Sequence, residues 1–203
     1  MKHLLLAIAF LFTFSFLPAQ SDFYLGFQGG PVIGHTDIPT TSAYHGGITV
    51  GFQPAKVVAI EAQFTTGNLR GQENLAVSPL RFNNRFNLIT LRGNLFLDQL
   101  IEKDHGTGIH VFASAGAGLL LSQVKEVNTP PDGPAGELYE GSDLVIPAGL
   151  GLQFEVTPTT HFQCSWLYHV TLSDEINGYN PQVAGNSAND HFSLVSLGFR
   201  FFL

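Results

Sequence analysis

Apolar residues recur at every second position in eight separate segments of this chain, and this alternation constrains the fold more than any other feature. In one segment, for example, Ile60 and Phe64 share a face that lies opposite Glu61. A period of two is that of a β-strand, whose successive side chains point to opposite faces. The sequence therefore predicts an all-β fold with strands over residues 23–28, 44–53, 58–65, 89–97, 109–122, 144–155, 161–171 and 195–203.

The composition of the two faces indicates that hydrocarbon, not water, surrounds these strands. The face opposite the apolar one carries mainly Gly, Ser, Thr and Gln, and charged residues make up only 12% of the chain. A soluble β-sandwich or a lipocalin-like barrel would turn its apolar face inward and cover its outer face with Lys and Glu. Too few charges remain for such a surface, so we predict an eight-stranded antiparallel up-and-down transmembrane β-barrel. It must be closed, because an open edge leaves backbone groups unpaired in lipid.

The overall charge and the cysteine count exclude two classes of protein. The formal net charge of −7 argues against nucleic acid as a partner, since such a partner requires a basic surface. The single cysteine excludes an internal disulfide framework and a cysteine-rich zinc site.

The predicted connections alternate between short and long. Residues 54–57, 98–107 and 157–160 are mostly tight turns, whereas residues 31–42, 66–84, 123–142 and 172–190 form long loops. Outer-membrane barrels place short turns in the periplasm and long loops outside. An even number of strands returns both termini to the periplasm, so we expect the N- and C-termini there.

The N-terminal residues have the pattern of a secretory signal peptide. Lys2 and His3 precede an apolar stretch over residues 4–17, and Ala19 follows at a cleavage position. We therefore expect residues 1–19 to be removed and residues 20–203 to form the barrel. The alternative is an uncleaved membrane anchor, but the apolar stretch is shorter than the roughly 20 residues that a spanning helix needs.

The C-terminal residues carry the most specific motif in the chain. It places a polar residue, a glycine, an apolar residue and a final apolar residue at fixed spacing, here Ser196, Gly198, Phe201 and Leu203. This segment resembles the β-signal read by the barrel-insertion machinery, although the last residue is Leu instead of Phe. With the eight segments, the mature chain resembles the small OmpA-like, eight-stranded outer-membrane β-barrel family.

The resemblance has consequences for location and partners. It implies a monomer in the outer membrane of a Gram-negative-type bacterium, in contact with outer-membrane lipid and with the insertion machinery during biogenesis. The sequence departs from full-length OmpA proteins in ending at the eighth predicted strand, so we expect the peptidoglycan-binding domain of those proteins to be absent.

Four charged residues fall within the predicted strands, all on the inward face and near the periplasmic turns. They are Glu61, Arg92, Glu155 and Arg200, and their charges sum to zero. The interior of an eight-stranded barrel is only wide enough for side chains to fill it. We therefore expect a lumenal ion-pair cluster that stabilises the barrel; the alternative is a gate in a narrow, porin-like, ion-conducting barrel.

Three other kinds of chemistry are disfavoured. Some eight-stranded barrels are lipid A deacylases with a His and a Ser two residues apart on the lipid-facing wall. In the nearest match, Thr171 stands where the nucleophilic Ser belongs. The alternation also predicts that His169 points inward, away from the lipid. We predict no enzymatic activity and no cofactor. The histidines 35, 45, 169 and 191 and the loop residues Asp174, Glu175 and Asn177 lack the spacing of a metal site, so we predict no metal.

The outward aromatic residues and the loops complete the expected function. Aromatic girdles are predicted near the strand ends at Tyr44, Phe52, Phe162, Trp166, Tyr168, Phe199 and Phe201. The long loops are acidic and turn-rich, and a ligand outside the cell would bind there. The sequence thus predicts a structural or interaction protein with a filled, polar, charge-paired lumen and long acidic extracellular loops; the alternatives are the ion-conducting barrel and the lipid A-modifying enzyme.

Overall fold

The structure, a computed structural model, describes residues 23–36, 40–41, 43–73, 80–101, 108–127, 140–172, 176 and 190–203. These residues form eight strands and one helical turn: β1 (Phe23–His35), β2 (Ala43–Ala55), β3 (Val58–Glu73), β4 (Leu80–Phe96), α1 (Leu97–Leu100), β5 (Ile109–Val127), β6 (Glu140–Thr157), β7 (Thr160–Thr171) and β8 (His191–Phe202). Each strand pairs antiparallel with the next, and β8 pairs with β1, so the sheet closes into a barrel. The predicted up-and-down barrel is confirmed. Within the described residues, no helix is long and apolar enough to cross a membrane.

The two ends of the barrel differ in their connections. At one end, which we call the turn end, lie Phe23, Leu203 and the connections 56–57, 97–108 and 158–159. At the opposite end, which we call the loop end, lie the connections 36–42, 74–79, 128–139 and 172–190. The connections predicted as short turns join strands at the turn end, and those predicted as long loops join strands at the loop end. The connection 97–108 is not short, however, because it is as long as 128–139 and longer than 36–42 and 74–79.

The strands extend further toward the loop end than predicted. Residues 31–35, 66–73, 80–84, 123–127 and 140–142 were expected in loops but belong to strands. The pairing of β3 with β4, for example, continues from Gly67 and Phe86 to Glu73 and Leu80. The assignment of these residues to loops was wrong, because the backbone ladder continues beyond the point where the outward side chains stop being apolar.

The strands are staggered around the barrel. A hydrogen-bonded row that leaves β1 at Phe23 passes through all eight strands and returns to β1 at Ile33, a shift of 33 − 23 = 10 residues. Each step from one strand to the next in chain order therefore rises toward the loop end by a little over one residue. Such a stagger tilts the strands by about 35–45° to the barrel axis.

The outer surface carries a continuous belt of exposed apolar side chains. Leu91 is 62% exposed, whereas its neighbour Arg92 is 2% exposed and points inward. The belt includes Leu25, Phe27, Ile48, Val50, Ile60, Phe64, Ile89, Leu91, Leu119, Leu150, Trp166 and Leu197. A soluble domain does not expose an apolar surface of this extent. The soluble sandwich and the lipocalin-like barrel are therefore excluded.

Outward aromatic rings lie toward both edges of this apolar belt. Phe23 packs on Phe52 with ring centroids 4.7 Å apart at the turn end, and Phe162 packs on Phe199 at 5.3 Å. Tyr44, on the loop-end part of β2, is 65% exposed. Amphipathic and aromatic rings in these positions are typical of the girdles at membrane interfaces.

The interior has three layers along the barrel axis. An apolar layer near the turn end consists of Tyr24, Ala59, Phe96 and Phe112, with Phe202 packed against it. A larger apolar layer toward the loop end consists of Val32, Ala43, Leu69, Phe82, Phe86, Leu88, Leu120, Val145, Ile176, Phe192 and Leu194. Between them lies a polar layer that includes Glu61, Gln63, Thr90, Arg92, Gln153, Gln163 and Arg200. Polar side chains therefore dominate only the middle of the barrel, although single polar residues such as Asn84 and His169 are buried against the loop-end apolar layer.

Inward aromatic side chains cover glycines on the adjacent strand. Tyr24 lies directly across from Gly51, and a Cβ atom built on Gly51 would lie 2.0 Å from the Tyr24 ring. Phe112 covers Gly151 in the same way. The missing side chain lets each ring lie flat against the wall, so that large rings fit within a narrow interior.

Candidate functional site

Three charged side chains meet in the polar layer of the interior. Arg92 donates from Nη2 to Oε2 of Glu61 at 2.8 Å, and Arg200 donates from Nη2 to Oε1 of the same carboxylate. All three residues are at least 98% buried. Glu61 on β3 stands directly opposite Arg92 on β4, and Arg200 reaches them from β8. The cluster therefore connects separate parts of the barrel wall through one carboxylate.

Further contacts fix the orientation of the cluster. The Tyr24 hydroxyl donates to Oε1 of Glu61 at 2.7 Å, and Nη1 of Arg200 donates to Oε1 of Gln153 at 2.5 Å. The guanidinium of Arg200 lies 5.0 Å from the centroid of the Tyr24 ring and 5.5 Å from that of Phe112. A desolvated guanidinium over an aromatic face is stabilised by the ring quadrupole. Glu61 and Arg200 are thus held by rigid neighbours.

The cluster carries a formal net charge of +1, because two guanidiniums share one carboxylate. Within the described part of the chain, Nε and Nη1 of Arg92 and Nε of Arg200 are buried without a hydrogen-bond partner. The one hydroxyl described beside the carboxylate, that of Tyr24, is buried and donates to Glu61, whose charge is already shared by two guanidiniums. The chemistry of the cluster is that of a buried ion-pair network, which stabilises the barrel only while both signs of charge are present.

The structure does not place Glu155 in this cluster. Glu155 lies near the turn end of β6, where its Oε1 is 3.0 Å from Nε2 of His110 and its side chain is 47% exposed. The expected four-residue neutral cluster was therefore wrong in this member. Glu155 lies on the same face of β6 as the inward-pointing Gln153. It lies two residues further along the strand, however, where the interior is open to solvent at the turn end.

A separate polar group at the turn end was missed by the sequence analysis. Nδ1 of His110 is 2.7 Å from Oδ2 of Asp98, and the backbone N–H of Val111 donates to Oδ1 of Asp98 at 3.0 Å. Burial raises the pKa of the Asp98 carboxyl, but the hydrogen bonds from His110, Gln99 and Val111 outweigh it, so this pKa lies below its ordinary value. These contacts connect α1 to β5. The only signal in the sequence was an Asp at the start of a connection, which is common in turns.

The remaining candidate residues that the structure describes make contacts of other kinds. His169 points inward and stacks on Phe192 with ring centroids 4.7 Å apart, and the Thr171 hydroxyl donates to the carbonyl of Asp190. His45 instead contacts Ser196, with Nε2 2.9 Å from Oγ. Across the described ranges, no three metal-ligating side chains come together. Asp174, Glu175 and Asn177 lie outside the described residues.

The four residues of the C-terminal motif lie at the closure of the barrel. Ser196 and Gly198 face the interior of β8, and Phe201 faces outward, with its ring centroid 5.9 Å from that of Phe27 on β1. The backbone N–H of Leu203 donates to the carbonyl of Phe23 at 3.0 Å. The motif therefore coincides with the last strand to complete the sheet, and its role as an insertion signal stays a prediction.

The closed antiparallel sheet, its apolar outside and its filled inside define the class of small eight-stranded outer-membrane barrels. The chain is similar to Neisserial surface protein A, with a TM-score of 0.62 and 12% identity over 90% of this chain and 98% of that chain. It is also similar to the outer membrane protein OprG from Pseudomonas aeruginosa, with a TM-score of 0.54 and 11% identity over 90% of this chain and 97% of that chain. No protein-family model and no curated protein sequence matches the chain. At sequence identities of 11% and 12%, this similarity shows a shared fold and nothing further.

Proposed function

We propose that this protein is a structural or surface-interaction barrel of the outer membrane of a Gram-negative-type bacterium. The turn end faces the periplasm, the loop end faces outward, and residues 1–19 are removed as a signal peptide. The observation that carries the proposal is the apolar belt around an interior closed by two apolar layers. Side chains largely fill the interior of an eight-stranded barrel, so the proposed interactions take place at the loops.

The closed interior argues against the ion-conducting alternative. An ion passing along the axis must cross the loop-end apolar layer, which Ile176 completes from the connection between β7 and β8. The carbonyl of Ile176 accepts a hydrogen bond from Nδ2 of Asn84 at 2.7 Å, which fixes the segment to β4. A dry constriction blocks ions because they cannot shed their hydration without compensation. Breaking the ion pairs of the charged cluster would therefore not open a path for ions, because the loop-end apolar layer would still block the interior.

The positions of His169 and Thr171 argue against the lipid A-modifying alternative. A barrel enzyme that acts on lipid needs its nucleophile and its base on the outer wall, where the lipid lies. Both residues are at least 99% buried in the interior. The proposed sites for an extracellular ligand are the connections 36–42, 74–79, 128–139 and 172–190, together with the strand ends that fall within the predicted loops 31–42, 66–84 and 123–142.

Cysteine labelling of intact cells tests the location and the orientation. In a Cys164→Ser background, a cysteine at the exposed loop-end residue Leu172 should react with a membrane-impermeant maleimide. A cysteine at Lys56, in the exposed turn between β2 and β3, should react only after the cells are lysed. The opposite pattern would refute the proposed orientation. Labelling of neither position before lysis would refute the outer-membrane location.

Planar-bilayer recording tests the closed interior. The folded protein should give no steady conductance, and Arg92→Ala should give none either, because the loop-end apolar layer is intact in both. Arg200→Ala serves as a second variant of the same cluster. A stable open level in the unaltered protein that is lost or changed in Arg92→Ala would establish the conducting barrel instead.

A further inference from the structure

Four basic residues point outward at the loop end on three neighbouring strands. They are Arg70 on β3, Arg81 and Arg85 on β4, and Lys125 on β5. The other described cations are Lys56 in a turn-end connection and the two interior arginines. In a chain with a net charge of −7, the outward positive charge is therefore concentrated on one side of the barrel.

Arg70, Arg85 and Lys125 line a shallow cleft of about 350 Å³ together with Asn68 and Asn83. Arg70 is paired with Asn83, and Arg85 is paired with Asn68, so the two arginines are diagonal neighbours on adjacent strands. The stagger of the barrel raises Arg85 toward the loop end relative to Asn68, which brings it close to the height of Arg70. Diagonal neighbours of this kind lie within reach of long side chains.

A β-bulge positions Lys125 on the same face. Asn83 pairs with Glu126 and Asn84 pairs with Val124, so Lys125 is the extra residue of β5. The side chain of Asn84 holds the bulge, since its Oδ1 accepts the backbone N–H of Gln123 at 3.1 Å. A bulge redirects a side chain and is often found where an interaction requires it.

The ion pairs of the described side chains do not include the cations of the cleft. Among the described residues, no carboxylate lies within ion-pair distance of Arg70, Arg85 or Lys125. The described carboxylate of Glu140 accepts a hydrogen bond from Nε2 of Gln123 at 3.5 Å. The described side chains that line the cleft therefore carry three positive charges and no negative one.

The cleft borders the apolar belt. On β4 the outward residues change from Leu91 and Ile89, which belong to the belt, to Asn87 and then Arg85. Along a tilted strand, the four residues from Ile89 to Arg85 advance by roughly 10 Å along the barrel axis. This places the guanidiniums just above the hydrocarbon, in the layer of lipid head groups.

We propose that the cleft formed by Arg70, Arg85 and Lys125 binds a phosphate group of the phosphorylated glycolipid of the outer leaflet. Guanidiniums bind phosphate with paired N–H donors, and an ammonium adds a third positive contact. The asparagines at the cleft supply neutral donors to the remaining oxygens. The proposal rests on the proposed function, because the loop end must face outward for this lipid to reach the cleft.

Lipid titration of the detergent-folded protein tests the site. Binding of bisphosphorylated lipid A, measured by native mass spectrometry, should weaken by about tenfold or more when the three cations are replaced together (Arg70→Gln, Arg85→Gln, Lys125→Gln). The matched control Lys56→Gln, at the turn end, should bind like the unaltered protein. Heat-modifiable mobility in SDS gels checks that each variant is folded. Dephosphorylated lipid A should bind all variants equally weakly.

Three results would overturn the assignment. The triple variant could bind as tightly as the unaltered barrel, or dephosphorylated lipid A could bind as tightly as the bisphosphorylated form. Inorganic phosphate could also displace the lipid at equal phosphate concentration, which would indicate a general anion site. The cysteine labelling described above is independent of all three. A reversed orientation with cation-dependent lipid binding would therefore refute both the proposed function and the outer-leaflet lipid as the ligand, and would leave the cleft as a phosphate-binding site only.

Discussion

Glu61→Ala is expected to lower the free energy of unfolding by about 3–5 kcal/mol, because it leaves two buried guanidiniums without a carboxylate. The Tyr24 hydroxyl loses its acceptor in the same step. Urea titration of the barrel in lipid vesicles, followed by tryptophan fluorescence, measures the loss, since the chain has a single tryptophan. Glu61→Gln keeps an acceptor for the tyrosine but removes the charge, and an intermediate loss is expected.

Glu155→Ala is the matched control for this prediction. The same residue type is removed, but Glu155 is half exposed and its partner is a histidine at the turn end. Partly exposed pairs contribute roughly 0–1 kcal/mol, so the expected loss is small. Equal losses for the two variants would show that the interior cluster contributes no more than a surface pair.

Leu91→Arg is expected to destabilise the barrel by about 2–4 kcal/mol in a bilayer, because it places a charge on the lipid-facing wall within the apolar belt. The matched control is Asn87→Arg, on the same face of β4 but at the edge of the belt, where the same charge costs roughly 0–1 kcal/mol. Urea titration in vesicles measures both variants. A loss that is the same at the two positions would mean that the belt does not lie in hydrocarbon.

The direction of each side chain in the belt could be predicted from the sequence. A period of two assigns every residue to one of two faces, and a scarcity of charge decides which face meets lipid. Leu91, Leu119 and Leu150 are exposed on the outside, and Gln63 and Gln153 are buried, as this rule requires. The prediction succeeded because hydrocarbon on one side and a narrow interior on the other impose opposite requirements on neighbouring residues.

The loop-end part of the strands could not be predicted in the same way. There the outward face becomes polar and the inward face becomes apolar. On β4, Phe82 and Phe86 point inward while Arg81 and Arg85 point outward. Water replaces hydrocarbon outside, so polar residues belong outside and apolar residues can fill the barrel. A pattern with apolar residues facing outward ends where the two faces exchange character. The sequence pattern therefore predicted neither the loop-end apolar layer nor the basic cleft.

The candidate cluster was only partly predictable for a different reason. The alternation of side chains along each strand identified Glu61, Arg92 and Arg200 as pointing into the barrel. Alternation does not show how far along the barrel axis each residue lies. Height depends on the stagger between strands, which the sequence does not state. Glu155 shares the inward phase and lies close to the end of the barrel, so a neutral sum of four charges was a misleading guide.

The seam between β1 and β8 joins opposite ends of the chain, as in the pairing of Tyr24 with Phe202. A chain that stops before β8 cannot satisfy all its backbone hydrogen bonds in hydrocarbon, since its sheet has two open edges. Contacts between residues so distant in sequence also form slowly. Closing the sheet in hydrocarbon therefore depends on the last strand, and we expect a chain that lacks β8 to stay out of the bilayer.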